Sequence, residues 1–252
     1  MATTLAIANQ KGGVGKTTTA INLGAALAAL ERRVLIVDCD PQGNATRGLG
    51  LSAGDPNLLQ VLLEGETAVA AVVPTELPYL HLLPSDRELV GVEVEFSRQG
   101  DRAAALREVL APVGASYDTV LLDCPPSLGQ LTVNALVAAD EVLVPLQCEY
   151  FALEGVSELV STVERVRATL NPGLSIGGIL LTMYDERTNL ARDVAEEVRR
   201  HFADKVYETV VPRNVRLAEA PSHGQPILLY DIKSRGAEAY LALAREVLER
   251  AA

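Results

Sequence analysis

The sequence has no tryptophan, seven tyrosines, three phenylalanines and three cysteines among its 252 residues. So few aromatic rings offer little on which unpaired nucleic-acid bases could stack. Cys39, Cys124 and Cys148 make no Cys-x-x-Cys pair and leave one thiol over, which fits a reducing cytosol rather than a disulfide-stapled secreted chain. His81, His201 and His223 have no metal-ligand spacing, and no chemistry is expected of them. No basic stretch leads into an apolar one at the N-terminus, so no signal peptide is expected. The longest apolar stretch, 20–30, stops at Glu31-Arg32-Arg33, well short of the ~20 residues needed to cross a bilayer. Positive charge is also scarce. Twenty-two lysines and arginines face 33 aspartates and glutamates, and a formal charge of −11 taken whole repels phosphate.

What is present is ordinary globular material, 48% hydrophobic and 22% charged, enough for a sizeable core. Short apolar runs at 4–8, 34–38, 80–83, 119–123, 141–146, 176–182 and 206–211 read as strands. Between them Ala20, Leu23, Leu27 and Leu30 share a helical face, and helical periods recur at 102–110, 131–138, 153–170, 191–202 and 237–250. This alternation predicts an α/β fold: a doubly wound, mostly parallel sheet with helices on both faces and ligands at the carboxyl ends of the strands. No Ser/Gly-rich linker or repeat divides the chain, so residues 1–252 read as a single domain. The stretch 51–100 is the least regular and reads as an insertion or mobile region.

Directly after the first strand stands Asn9-Gln-Lys-Gly-Gly-Val-Gly-Lys-Thr-Thr18, followed at once by a helix. Strand, glycine-rich loop and helix are the setting of a phosphate-binding P-loop. Gly12, Gly13 and Gly15 let backbone N–H groups converge on phosphates, and the helix start adds its positive end. Lys16 would reach the β- and γ-phosphates and Thr17 would ligate Mg²⁺. The usual first glycine is replaced by Gln10, with Lys11 after it. Asp38 and Asp40 stand two apart at the end of the second strand, where Pro41 and Gly43 turn the chain into a loop. Asp38 would support the Mg²⁺ shell. Asp123 ends the apolar run 119–123, a strand delivering one acid to the metal, and Pro125-Pro126 stop the strand there. A GTPase would carry Asn-Lys-x-Asp near 182–185. The sequence there is Thr182-Met-Tyr-Asp185, which favours ATP.

The loop Lys11-Gly-Gly-Val-Gly-Lys-Thr-Thr18 resembles the deviant Walker A motif of the ParA/MinD family of dimeric ATPases. Residues 38–44, 122–127, 145–155 and 212–224 extend the resemblance, toward the chromosomal ParA (Soj) branch. The resemblance implies ATP and Mg²⁺ as cofactors, with ATP held by residues 11–18, including Val14 and Thr18. It implies an ATP-dependent homodimer in which Lys11 reaches the partner's nucleotide. Asp40 would orient the attacking water, Pro125-Pro126 would open a loop that senses the γ-phosphate, and Pro212 and Asn214 would flank adenine. It further implies nonspecific binding of double-stranded DNA and a ParB-type centromere-binding partner that stimulates hydrolysis, hence a nucleoid-associated cytoplasmic protein. Residues 51–182 hold six basic against eighteen acidic side chains, whereas 183–236 hold nine of each. The family's DNA-binding role then falls on Arg187, Arg216, Lys233 and Arg235. Two alternatives share the fold. A MinD-like positioning ATPase would need a basic amphipathic C-terminal helix, and 237–252 carry two arginines against three glutamates, so no membrane partner is expected. A metabolic ligase of the dethiobiotin synthetase type would turn over with its substrate rather than with DNA.

Overall fold

In a computed structural model the chain is described over residues 2–100, 102–150 and 152–251; Met1 and Phe151, the latter within the 145–155 stretch, lie outside them. The strands are β1 (Thr3–Ile7), β2 (Val34–Asp38), β3 (Val73–Pro74), β4 (Leu80–Leu83), β5 (Thr119–Asp123), β6 (Glu141–Gln147), β7 (Ser175–Tyr184) and β8 (Val206–Pro212). They form one sheet in the order β3-β4-β2-β5-β1-β6-β7-β8, parallel except for the β3–β4 pair. The helices are α1 (Lys16–Ala29), α2 (Asn44–Gly48), α3 (Leu58–Leu63), α4 (Ala68–Ala71), α5 (Val90–Gln99), α6 (Ala105–Gly114), α7 (Gln130–Ala138), α8 (Ala152–Thr169), α9 (Asn189–Phe202), α10 (Val215–Glu219), α11 (Ile227–Tyr230) and α12 (Arg235–Arg250).

Helices cover both faces, so the central strands are buried on both sides, and every residue of β2 and of β5 is buried. One apolar cluster joins Leu35, Val37, Val120 and Leu122 to α3, α5, α6, α7 and α8. On the other face Val34, Ile36 and Leu121 pack under α1 and α12. Gly24 lets α1 lie close to the sheet, because a Cβ there would stand 2.8 Å from Ile36 Cδ1.

Two expectations need correction. The stretch 51–100 is not irregular: it supplies α3, α4, β3, β4 and α5, and Leu58, Val61, Leu62, Leu89, Val92 and Phe96 are buried in the core. Its start signal was in plain sight, since Asn57 and Gln60 form a reciprocal cap on α3. The helix expected at 102–110 runs instead over Ala105–Gly114. Arg102 is drawn aside to donate to the Leu62 carbonyl and lie over the Phe96 ring, while burial of Val113 carries the helix past Pro112.

The chain order places three strand ends side by side. Ile7 pairs in register with Asp123, and Asp123 with Asp38, so the P-loop and both acids open from adjacent carboxyl ends of β1, β5 and β2.

Candidate functional site

The loop after β1 has the backbone of an anion cradle. Gly13 and Gly15 take φ of +75° and +91°, in the left-handed region that glycine adopts freely. Gly15 in that conformation also starts α1 without a side-chain cap. The N–H groups of residues 12, 13 and 15 to 18 donate to no acceptor among the described residues. Such a run of free donors at a helix start binds phosphate. Val14 is buried and fixes the middle of the loop, and its carbonyl accepts from the Thr182 hydroxyl at 2.8 Å. Thr182 therefore braces the P-loop from β7, at the place where a guanine-reading motif would begin. Asp185 of the same stretch is held by a two-pronged Arg187 contact at 2.7 and 2.8 Å, and this guanidinium lowers its pKa to about 2.

Lys16 is buried at the start of α1, its Nζ donating to the Lys11 carbonyl at 3.2 Å. Burial lowers its pKa, against the opposing pull of Asp123. Asp123 is fully buried, and neither carboxylate oxygen has a hydrogen-bond partner among the described residues. Burial first, and the neighbouring Asp38 second, push its pKa well above the ordinary range, while the facing Thr17 hydroxyl pulls the other way. A buried carboxylate without donors is costly unless a cation completes it. Thr17 and Asp123 thus fit a magnesium ion. Among the described residues no group of three or more His, Cys, Asp or Glu side chains could hold a metal.

Asp38 is also fully buried, but its oxygens are spoken for. One accepts from the Thr46 amide and hydroxyl at 2.8 and 2.7 Å, the other from the Asp40 amide at 3.3 Å. Burial still raises its pKa to about 6. Asp38 therefore ties the loop that carries Asp40 to Thr46 at the start of α2. The Ser85 hydroxyl donates to the Asp40 carbonyl, and Asp40 Oδ1 accepts from the Gln42 amide at 2.9 Å. Thr46, Ser85 and Thr182 carried no recognisable signal, because their partners lie on other elements.

Lys11 sits at the rim, its Nζ 2.8 Å from Glu149 of the same chain. Gln147 also donates to Glu149. Pro212 ends β8 opposite Tyr184 of β7. Asn214 spends its carbonyl oxygen capping α10, accepting from the Arg216 amide at 2.8 Å.

The four basic candidates divide. Arg187 and Arg235 line one cleft of about 730 Å³ together with Arg213 and Pro212, and Asp185, Glu186 and Glu238 line it too. Arg216 lies outside this cleft, bridging Glu219 at 2.9 Å and Asp231 at 3.5 Å. Lys233 is exposed beyond both. Arg213, of the same basic segment, thus lies with Arg187 and Arg235, while Arg187 and Arg216 already hold in-chain carboxylates.

A family model described as AAA domain matches residues 2–176. The chromosome partitioning protein ParA of Caulobacter vibrioides is 58% identical, with 98% of this chain and 94% of that protein covered. The chromosome-partitioning ATPase Soj of Thermus thermophilus is 56% identical over 98% and 95%. This chain belongs to the ParA/Soj family of chromosome-partitioning ATPases. Family members thus align with it across both the P-loop and the basic segment of the carboxyl-terminal third. Among solved structures, a cobyrinic acid a,c-diamide synthase from Mycobacterium smegmatis with bound ADP and magnesium superposes with a TM-score of 0.86 at 40% identity. It covers 99% of this chain and 95% of that one. The three cysteines are buried and free. No helix among the described residues is long and apolar enough to cross a membrane.

Proposed function

We propose that this ParA/Soj family member is a Mg²⁺-dependent ATPase whose ATP-bound homodimer binds double-stranded DNA without sequence preference. A ParB-type centromere-binding partner stimulates its hydrolysis. The observation that carries the nucleotide half is the pairing of the free P-loop amides with the donor-less Asp123 carboxylate across adjacent strand ends. Phosphates take the amides and Lys16. Thr17 and Asp123 hold the magnesium ion, whose charge offsets the negative charge that develops on the transferred phosphoryl group. Asp38, one step back, orients the loop from which Asp40 positions the attacking water. Pro212 and Asn214 flank the adenine.

Lys11 acts across the dimer interface. Its bond to Glu149 joins two part-exposed side chains, and such a pair is worth only about 0–1 kcal/mol, so exchange for a partner's phosphate is cheap. DNA lies against Arg187, Arg213, Arg235, Arg216 and Lys233, and its phosphates displace the carboxylates that Arg187 and Arg216 hold in the free chain. The nucleoid in the cytoplasm is then the working location. A membrane role is disfavoured by α12, whose apolar side is already buried through Ala237, Tyr240, Leu243 and Ala244.

One second reading has an observation behind it, the 40% identity to a cobyrinic acid a,c-diamide synthase. Co-sedimentation with duplex DNA under ATP, ADP and no nucleotide, at two salt concentrations, separates the two. DNA pelleting the protein only with ATP, and less at high salt, is expected. Equal pelleting in every nucleotide state, or turnover that responds to a small-molecule acid and an amide donor but not to DNA, would overturn the proposal.

A further inference from the structure

The loop that leaves Asp123 is secured at its far end by a residue from a different part of the chain. Residues 124–129 run from the end of β5 to the start of α7. At the near end the Cys124 amide donates to the Ile7 carbonyl at 3.2 Å, which ties the loop to β1. At the far end α7 has no cap of its own, because its N-cap residue is Gly129. Glu93 of α5 supplies the missing acceptors. Its Oε2 accepts from the Gln130 amide at 2.7 Å and its Oε1 from the Leu131 amide at 3.1 Å. A carboxylate in this position satisfies two orphan donors and also meets the positive end of the helix.

Glu93 and Gly129 form a matched pair. A Cβ on residue 129 would stand 2.5 Å from Glu93 Oε1, so the glycine clears the way for the carboxylate. Gly129 has φ of −76° and ψ of −170°, a conformation open to Ser or Asp, the usual helix caps. Capping alone would therefore be met locally by either. Taking the cap from α5 does something else, because it cross-links the loop after Asp123 to a helix anchored in the core by Val92 and Phe96. Between the two ties the amides of Ser127, Leu128 and Gly129 donate to no acceptor among the described residues.

From this geometry we infer that Glu93 is a positioning residue for the ATPase reaction, holding the 124–129 loop so that its free amides and Asp123 meet the nucleotide together. The inference rests on the ATP-hydrolase reading above. Glu93 touches neither nucleotide nor metal, and it acts through the backbone of α7.

The test compares four forms of the full chain: unaltered, Glu93→Ala, Gly129→Ser, and the double variant. In Glu93→Ala the space beside residue 129 opens, so adding Gly129→Ser restores a cap to α7 without the link to α5. Glu93→Ala is expected to lower the thermal midpoint of the nucleotide-free protein by about 2–4 °C and to speed amide exchange at Gln130 and Leu131. The same variant should lower kcat for Mg-ATP about 10-fold with KM little changed, the size seen when a supporting hydrogen bond near a metal site is lost. In the double variant the midpoint and the exchange protection should return while kcat stays low. Recovery of kcat with the cap, or an unaltered kcat in Glu93→Ala, would make Glu93 a helix cap and nothing more. Absence of Mg-ATP turnover in the unaltered protein would instead strike the hydrolase reading, and the inference with it.

Discussion

Asp123 is the residue at which stability and function oppose each other most directly. Its carboxylate is fully buried without a donor, and burial holds its pKa well above that of a free aspartate. A raised folded-state pKa means that the native chain keeps a proton the unfolded chain has released. Stability therefore falls as pH rises above the ordinary aspartate range. Asp123→Asn removes this cost. The nucleotide-free variant should be about 1–2 kcal/mol more stable than the unaltered chain at pH 7, with the gain fading toward pH 4, where the acid is neutral in both states. Urea titrations at the two pH values measure this, and a variant less stable at pH 7 would show that a partner already serves the carboxylate. Mg-dependent ATP turnover should be lost in the same variant. Asp38, its neighbour across the β2–β5 pairing, differs in that Thr46 and the Asp40 amide supply its oxygens with donors from within the chain.

At the scale of elements, residues 220–233 are fastened to the nucleotide end through backbone contacts that leave no room for side chains. Gly50, just after α2, and Gly224, after the 3-10 turn Ala220–His223, lie back to back with φ of +71° and +66°. A Cβ on Gly224 would stand 2.6 Å from Gly50 Cα. Asn22 of α1 adds a polar tie, donating to the Thr18 carbonyl and accepting from the Ile227 amide, both at 2.7 Å. Gly224→Ala meets both a backbone clash and a conformation unsuited to alanine, and should cost about 2–3 kcal/mol in chemical denaturation. A loss below ~0.5 kcal/mol would mean that the two segments can part without consequence. Strand placement was readable because buried parallel strands are short uninterrupted apolar runs, and all seven parallel strands fall within two residues of expectation. The 51–100 stretch was not, since beyond the local Asn57 and Thr67 caps its short helices are held by core neighbours distant in sequence.

For the whole molecule, a charge of −11 works against DNA, so the proposed attachment would depend on a local patch and on its duplication in the proposed dimer. Arg216→Ala should weaken DNA binding on every sequence and reduce the slope of log affinity against log salt by ~1. An unaltered slope would remove that arginine from the phosphate contacts. Lys11→Ala should leave nucleotide binding to the monomer intact and abolish the ATP-dependent dimer in sedimentation velocity. A dimer fraction equal to that of the unaltered chain would confine Lys11 to its own subunit, as in its present bond to Glu149.

The order of strands and helices, the phosphate loop and the two strand-end acids were determined by the sequence itself, because each depends on neighbours a few residues away: apolar runs, glycines with free φ, an acid closing a buried strand. Tertiary structure alone decided which acid has donors from within the chain and which has none among the described residues. It also decided that Thr182 braces the P-loop, that Lys11 rests on Glu149, and that Glu93 holds the loop leaving Asp123. Those are contacts between residues 8 to 168 positions apart. No local pattern encodes them, since a hydrogen bond across the sheet depends on which strands the crossovers bring side by side.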